Sequence, residues 1–367
     1  MAGRWDPCVS HRGAEIDGFV DDYFARPERR ILLVGGAGFD PRSTTVARRL
    51  ANTEGQIRGL FFQEERPKPT QTLIDRATTN GDVLRAAIPA HEMASVNIFG
   101  SDGAVVGGRN AVALIGRQDF AETTDVVVDI SALSVGTAFP IIRYLVERSV
   151  RAPAEFNLHL FVTHDPALDG AITSVSSDAP GFVHGFRGGS TLDGSAGAAK
   201  LWLPQLASGR AGALGRLHSF VDPHDTCPIL PFPTIDPRAG DRLAEEFLTE
   251  FESGWSVDTR NIVYADESDP LDLYRTILRL DDLRKPVFAE VGGSLMILSP
   301  LGSKVMALGA LMAALERDLP VAYLEAIGYA FDGPAANEEA ADMIHIWLEG
   351  DVYPQPRPAL HNEGVAA

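Results

Sequence analysis

The chain has 367 residues, 45% of them hydrophobic and 22% charged, and a formal charge of -18. That length exceeds one small core and predicts two domains or lobes, while the acidic balance and the lack of any Lys/Arg block exclude nonspecific nucleic-acid binding. Two cysteines, Cys8 and Cys227, exclude a disulfide scaffold or a cysteine zinc cluster, and no apolar run reaches the roughly 18 residues of a membrane span, so a cytoplasmic protein with no membrane partner is expected.

Residues 1–28 are polar and mixed, with Phe19, Val20, Tyr23 and Phe24 suited to a short helix over a sheet edge. Arg30 to Val34 reads as a buried strand; a glycine turn and a helix from Ser43 or Thr44 to Leu50 follow. Ile57 to Phe62 predicts the next strand. Thr70 to Ala90 predicts a helix interrupted at Asn80-Gly81. Val96 to Phe99 is strand-like, and Asn110 to Ile115 is open between strand and helix. Thr124 to Ser131 is the clearest strand of the first half, followed by helical spacing over Phe139 to Glu147, with Pro140 read in its first turn. Asn157 to Thr163 is another strand.

Residues 165–240 are rich in Gly, Ser, Asp and Pro and read as an irregular insertion or interlobe region, with a strand expected within Leu214 to Val221. The regular pattern then returns: helix over Arg242 to Glu252, strand at Asn261 to Tyr264, helix within Pro270 to Lys285, strand at Gly293 to Leu298, helix over Lys304 to Glu316, strand at Pro320 to Glu325. Alternating strands and helices predict an α/β fold of Rossmann-like parallel sheets with flanking helices in two lobes, 1–164 and 241–352, followed by a polar tail, 353–367.

Three turns after strands carry candidate ligand chemistry. Gly35-Gly36-Ala37-Gly38 supplies two glycines of a dinucleotide pattern at Gly36 and Gly38, but Pro41 stands at the third position, and no P-loop occurs. Asp40 and Arg42 lie just past it, placed for a ligand or for pairing with each other. Asp129 ends its strand ahead of Ser131 and Ser134, as a cap, a ligand contact or a catalytic carboxylate. The strongest signal is Ser299-Pro300-Leu301-Gly302-Ser303-Lys304. It sets a hydroxyl, a glycine and a lysine where a strand passes into a helix N-terminus, whose unpaired N–H groups attract anions. Lys304 opposes the helix dipole there, which favours a role beyond capping. Glu325 ends the following strand, in reach of a ribose, a base edge or Lys304; Glu290 and Tyr329 are read as flanking the same edge.

The segment SPLGSKVMALGALMAALERDLPVAYLE, residues 299–325, resembles the CARF-like group of Rossmann-like sensor domains, in which a Gly-x-Lys turn and an Ala-rich helix precede a terminal strand. Here Pro300-Leu301 replaces a turn richer in Gly and Thr. The resemblance implies binding of cyclic or linear oligonucleotide signals in prokaryotic antiviral systems, with Gly302, Ser303 and Lys304 as ligand contacts. It also implies an effector protein or a second copy of the chain as partner, beside the nucleotide-like small ligand.

Other constellations are less specific. His164-Asp165 and the run His218, Asp222, His224, Asp225, Cys227 have metal-ligand chemistry, but polar turns give the same composition and neither H-E-x-x-H nor paired C-x-x-C occurs. A Cys227–His224 nucleophile pair is allowed by composition alone. No metal site or cofactor is expected, and no catalytic residue is assigned. Three readings stay open: a sensor of a nucleotide-derived anion in antiviral defence, an enzyme processing a nucleotide or sugar phosphate, and a scaffold subunit of a defence complex.

Overall fold

The computed structural model describes residues 3–152, 155–188, 197–331, 333, 342–354, 357 and 360. Most of the expected polar tail lies outside these. The chain divides into two compact units, residues 7–175 with 327–357, and residues 1–6 with 176–326 and 358–367. Both have the expected α/β character.

The first unit holds a seven-stranded sheet. Its strands are β1 (Val9–Arg12), β2 (Arg30–Gly36), β3 (Gln56–Glu65), β4 (His91–Asn97), β5 (Asp125–Asp129), β6 (Asn157–His164) and β16 (Asp342–Glu349). Across the sheet they run β1-β16-β6-β5-β2-β3-β4. The stretch from β6 to β4 is parallel, and β16 is antiparallel to both β6 and β1. Helices α1 (Ala14–Phe19), α2 (Thr45–Ala51) and α3 (Gln71–Ala87) share one core cluster with Ile31, Leu33, Phe61, Val127 and Phe161. The alternate residues Leu32, Val34, Val126, Val128, Leu158 and Leu160 are equally buried; they point to the other face, which α4 (Gly107–Ile115) and α5 (Val135–Arg151) cover. Parallel strands buried on both faces explain the near-continuous apolar runs of β2 and β5. A short helix, α6 (Pro166–Ala171), leads into a two-stranded ribbon of β7 (Ile172–Ser176) and β15 (Ala326–Phe331).

The second unit repeats the plan. Its strands are β8 (Gly181–Phe182), β9 (Ala199–Pro204), β10 (Asp225–Thr226), β11 (Ile229–Pro231), β12 (Val263–Ala265), β13 (Ser294–Ser299) and β14 (Ala322–Tyr323). Ladders and single bridges join them in the order β12-β11-β9-β13-β14-β8, with β10 beside β9; all but β8 run parallel. Helices α7 (Ala211–Val221), α8 (Ala239–Glu246), α9 (Pro270–Phe288) and α10 (Lys304–Arg317) belong to this unit. Every residue of α10 from Val305 to Leu315 is buried, which accounts for its apolar Ala/Leu composition all round.

Several elements depart from the sequence reading. Helix α3 passes through Asn80-Gly81 without a break: Asn80 Nδ2 donates to the carbonyls of Gly38 at 2.9 Å and Asp40 at 3.1 Å, and Gly81 is buried, so tertiary contacts override the weak local propensity. Pro140 sits well inside α5 rather than in its first turn. Leu214 to Val221 is helical, and the buried Leu214, Leu217 and Val221 of α7 recur at helical spacing. The stretch 165–240 contains the central strand β9. Strand β16 was not foreseen.

Helices α9 and α10 approach through Gly309. A Cβ on it would lie 2.3 Å from the Pro270 carbonyl oxygen, a backbone atom that moves only with α9. Gly309→Ala is therefore expected to destabilise the chain by about 1–3 kcal/mol, read as a lower urea midpoint; an unchanged midpoint would contradict this packing.

Candidate functional site

In doubly wound sheets, ligands bind at the carboxyl ends of the strands, where successive connections leave toward opposite sides. The first unit has that point between β2, which leads to β3 on one side, and β5, which leads to β6 on the other. The second has it between β9 and β13. The loops that leave these strands carry the residues singled out from sequence.

At the first point, the loops after β2 and β5 touch. A Cβ on Gly36 would stand 3.0 Å from the Ala132 carbonyl oxygen, a tight contact that glycine avoids; Gly38 faces open space. Asp40 caps the 3-10 turn Pro41–Thr44 by accepting the Arg42 N–H at 3.0 Å. Its carboxylate also takes the Arg42 guanidinium at 2.7 Å, while Arg42 Nη1 reaches Asp169 of α6 at 2.7 Å. Burial opposes the charge on Arg42, but Asp40 and Asp169 more than offset it and raise its pKa. Arg42 is thus held by two internal carboxylates.

Asp129 Oδ1 accepts the Ser131 N–H at 2.9 Å and its hydroxyl, and Ser131 Oγ in turn accepts the Thr163 N–H at 2.8 Å. Burial pushes the Asp129 carboxyl up to about 7; the Asp40 charge adds to this, against the Ser131 hydrogen bonds and Arg42. Ser134 donates its N–H and hydroxyl to Glu64, which also pairs with Arg66 at 2.7 Å. The β7–β15 ribbon flanks these loops, with Phe39 packed on Tyr329 at a centroid distance of 5.2 Å. Tyr329 therefore belongs to this unit and not to the edge where the sequence reading put it.

At the second point, Ser299 lies fully buried: its hydroxyl accepts from Trp202 Nε1 at 2.9 Å and donates to the Ala322 carbonyl at 2.8 Å. Ser303 caps α10, its Oγ accepting the Met306 N–H at 3.2 Å. Lys304 and Val305 are the first two residues of α10, where backbone N–H groups point out of the helix end. Gly302 packs against Gln205 at the end of β9; a Cβ there would stand 3.2 Å from Gln205 Oε1. Gln205 is buried, its Nε2 donates to the Met306 carbonyl at 3.0 Å, and its Oε1 has no hydrogen-bond partner among the described residues. Glu325 follows β14 and is buried, with Oε1 accepting the Ala326 N–H at 3.3 Å. Glu290 lies in the turn before β13, at the opposite end of that strand from Gly302.

The structure thus gathers Gly36, Gly38, Asp40, Arg42, Asp129 and Ser131 in one unit, and Ser299, Gly302, Ser303 and Lys304 at the switch point of the other, with Glu325 after its next strand. The sequence reading missed Gln205, Glu64, Arg66 and Asp169. Gln205 gave a faint signal, as a lone amide closing the apolar run Leu201-Trp202-Leu203.

Two solved structures are distantly similar to this chain. A solved type III CRISPR defence DNA nuclease activated by cyclic oligoadenylate is similar over 83% of this chain and 67% of that chain, at 13% identity and a TM-score of 0.47. The cytoplasmic domain of a prokaryotic cation chloride cotransporter is similar over 82% of this chain and 96% of its own, at 11% identity and a TM-score of 0.23. No protein family and no curated protein matches the sequence.

Elsewhere, His224 Nδ1 accepts the Lys200 N–H at 3.1 Å, and burial pushes the Cys227 thiol up to about 11, so it is not a thiolate at neutral pH. Among the described residues no cluster of three or more His, Cys, Asp or Glu could hold a metal, and no helix is long and apolar enough to cross a membrane.

The folded pKa of Asp129, about 7, lies above its unfolded value of 3.8. The native state therefore holds this proton more tightly, and the stability it contributes is full below about pH 4 and lost as pH rises through 7. Asp129→Asn, which stays uncharged, is expected to raise stability at pH 8 by on the order of 2–4 kcal/mol and to change it little at pH 4, measured by urea denaturation at both pH values.

Proposed function

We propose that this chain binds a nucleotide-derived anionic ligand at the carboxyl edge of its sheets and acts as a CARF-like sensor in antiviral defence. The observation that carries this reading is the position of Ser299–Lys304, which leaves β13 at a topological switch point and opens a buried helix. Backbone N–H groups of the first turn of α10 would hold phosphate oxygens. Lys304 adds a compact positive charge. Gly302 lets the backbone come close, and Gln205 Oε1 offers an acceptor for a ribose hydroxyl or an amino group. In a chain of net charge -18, such a local site is needed for any anion to bind. Ligand binding would act through a change in association with an effector protein or with a second copy of the chain.

Mass spectrometry of small molecules retained after native purification tests this. A nucleotide should be retained by the wild type and reduced at least about ten-fold in Lys304→Ala, a loss of about 1.4 kcal/mol. Equal retention by both proteins would remove Lys304 from the site, and absence of any phosphate-containing ligand would refute the reading.

One observation favours a second reading, ligand turnover: Asp129, a buried carboxyl with a pKa of about 7, sits at the other switch point, where a general acid or base would be poised near neutral pH. Under it, Asp129→Asn should retain ligand but form no product; unchanged turnover would exclude Asp129 from catalysis.

A further inference from the structure

Three imidazoles lie in a hydrogen-bonded row across the strands of the first unit. His11 on β1 stands opposite His345 on β16 in the ladder, and His159 lies on β6, the next strand. His11 Nδ1 is 2.9 Å from His345 Nδ1, His345 Nε2 is 3.0 Å from His159 Nδ1, and His159 Nε2 is 3.2 Å from Asp125 Oδ1 on β5. His345, His159 and Asp125 are fully buried, and His11 is half-buried. The row ends on a carboxylate that accepts the Tyr23 hydroxyl at 2.9 Å and the Thr124 hydroxyl at 2.6 Å, with Arg29 at 3.6 Å.

The protons can be placed by elimination. An ionised Asp125 only accepts, so His159 Nε2 carries hydrogen and its Nδ1 is bare. His345 must then donate from Nε2 and accept at Nδ1, and His11 must donate from Nδ1. Every ring is neutral, every link is satisfied, and the bare Nε2 of His11 closes the outer end.

We propose that His11, His345 and His159 form a proton relay through which the buried Asp125 carboxylate exchanges protons with solvent. A proton from water bonds to His11 Nε2. The His11 Nδ1–H bond then breaks as a bond to His345 Nδ1 forms. His345 Nε2–H passes its proton to His159 Nδ1, and His159 Nε2–H passes its own to Asp125 Oδ1. The net change is one proton gained by Asp125, with each imidazole left neutral in its other tautomer; the reverse sequence returns it. The row accepts one added proton without losing a link. A second would set N–H against N–H.

The surroundings set where that proton rests. Burial lowers the pKa of all three histidines, that of His345 well below the usual value; the neighbouring imidazoles add to this at His345. Glu15 on α1 favours a charge on His11, and Asp351 favours one on His159 against Arg29. Although burial opposes it, His159, Thr124 and Arg29 hold Asp125 below the usual carboxylate range. Phe19, Phe161 and Trp347 pack against the inner rings and leave His11 as the wet end. An added proton thus enters at His11 and reaches Asp125 through the two inner rings.

Nitrogen-15 NMR of the labelled full chain tests the relay. At pH 7.5 the tautomers should be Nδ1–H for His11 and Nε2–H for His345 and His159. Solvent exchange of the His159 Nε2 proton should rise in proportion to proton concentration, and should slow at least about ten-fold in His11→Phe, which keeps an aromatic ring against Phe19. A proton on His345 Nδ1 in the wild type at that pH, exchange of His159 that does not quicken with acid, or unchanged exchange in folded His11→Phe would each overturn the proposal.

Discussion

The constraint on which the rest depends is the reversal of winding inside each parallel sheet. A parallel strand must be followed by a crossover, and where crossovers leave neighbouring strands in opposite directions, the loops at their carboxyl ends share one edge. Both units meet this constraint in the same way, at β2 and β5 and at β9 and β13. Each edge then receives whatever polar groups the loops carry. In the first unit the sheet interior is mostly apolar, and its main polar feature is the histidine row that ends on Asp125.

The two edges are furnished differently. In the first unit the charges are already spent on one another: Arg42 lies between Asp40 and Asp169, and Glu64 takes Arg66 and Ser134. What is left is a carboxyl, Asp129, that burial keeps near half-protonated at neutral pH. In the second unit the furnishings are amides, a capping hydroxyl, a lysine and a buried glutamine. The first arrangement suits proton transfer or a neutral hydrogen-bonding group, and the second suits an anion. Burial governs the far end of the first sheet too, where it keeps three histidines neutral.

Local signals made much of this legible. Short apolar runs gave β2, closed by glycine, and β5, closed by Asp129, and Ser303 ahead of a long apolar helix gave the start of α10. What escaped depends on partners distant in sequence. Strand β16 pairs with β6 and β1 from distant parts of the sequence, and its central His345 bonds to His159 and His11, 186 and 334 residues away. Asn80-Gly81 looked like a helix break because the carbonyls that bind Asn80 lie in another loop. Asp169 and Gln205 carried no motif; they matter only because the fold brings them to Arg42 and to Gly302.

Backbone hydrogen exchange, followed by mass spectrometry with and without adenosine nucleotides and short linear or cyclic oligoadenylates, addresses ligand binding at these edges most directly. Binding at the second switch point predicts slower exchange confined mainly to residues 302–306 and to the segment after Gln205. Tight binding with protection elsewhere, or no protection by any of these nucleotides, would contradict it.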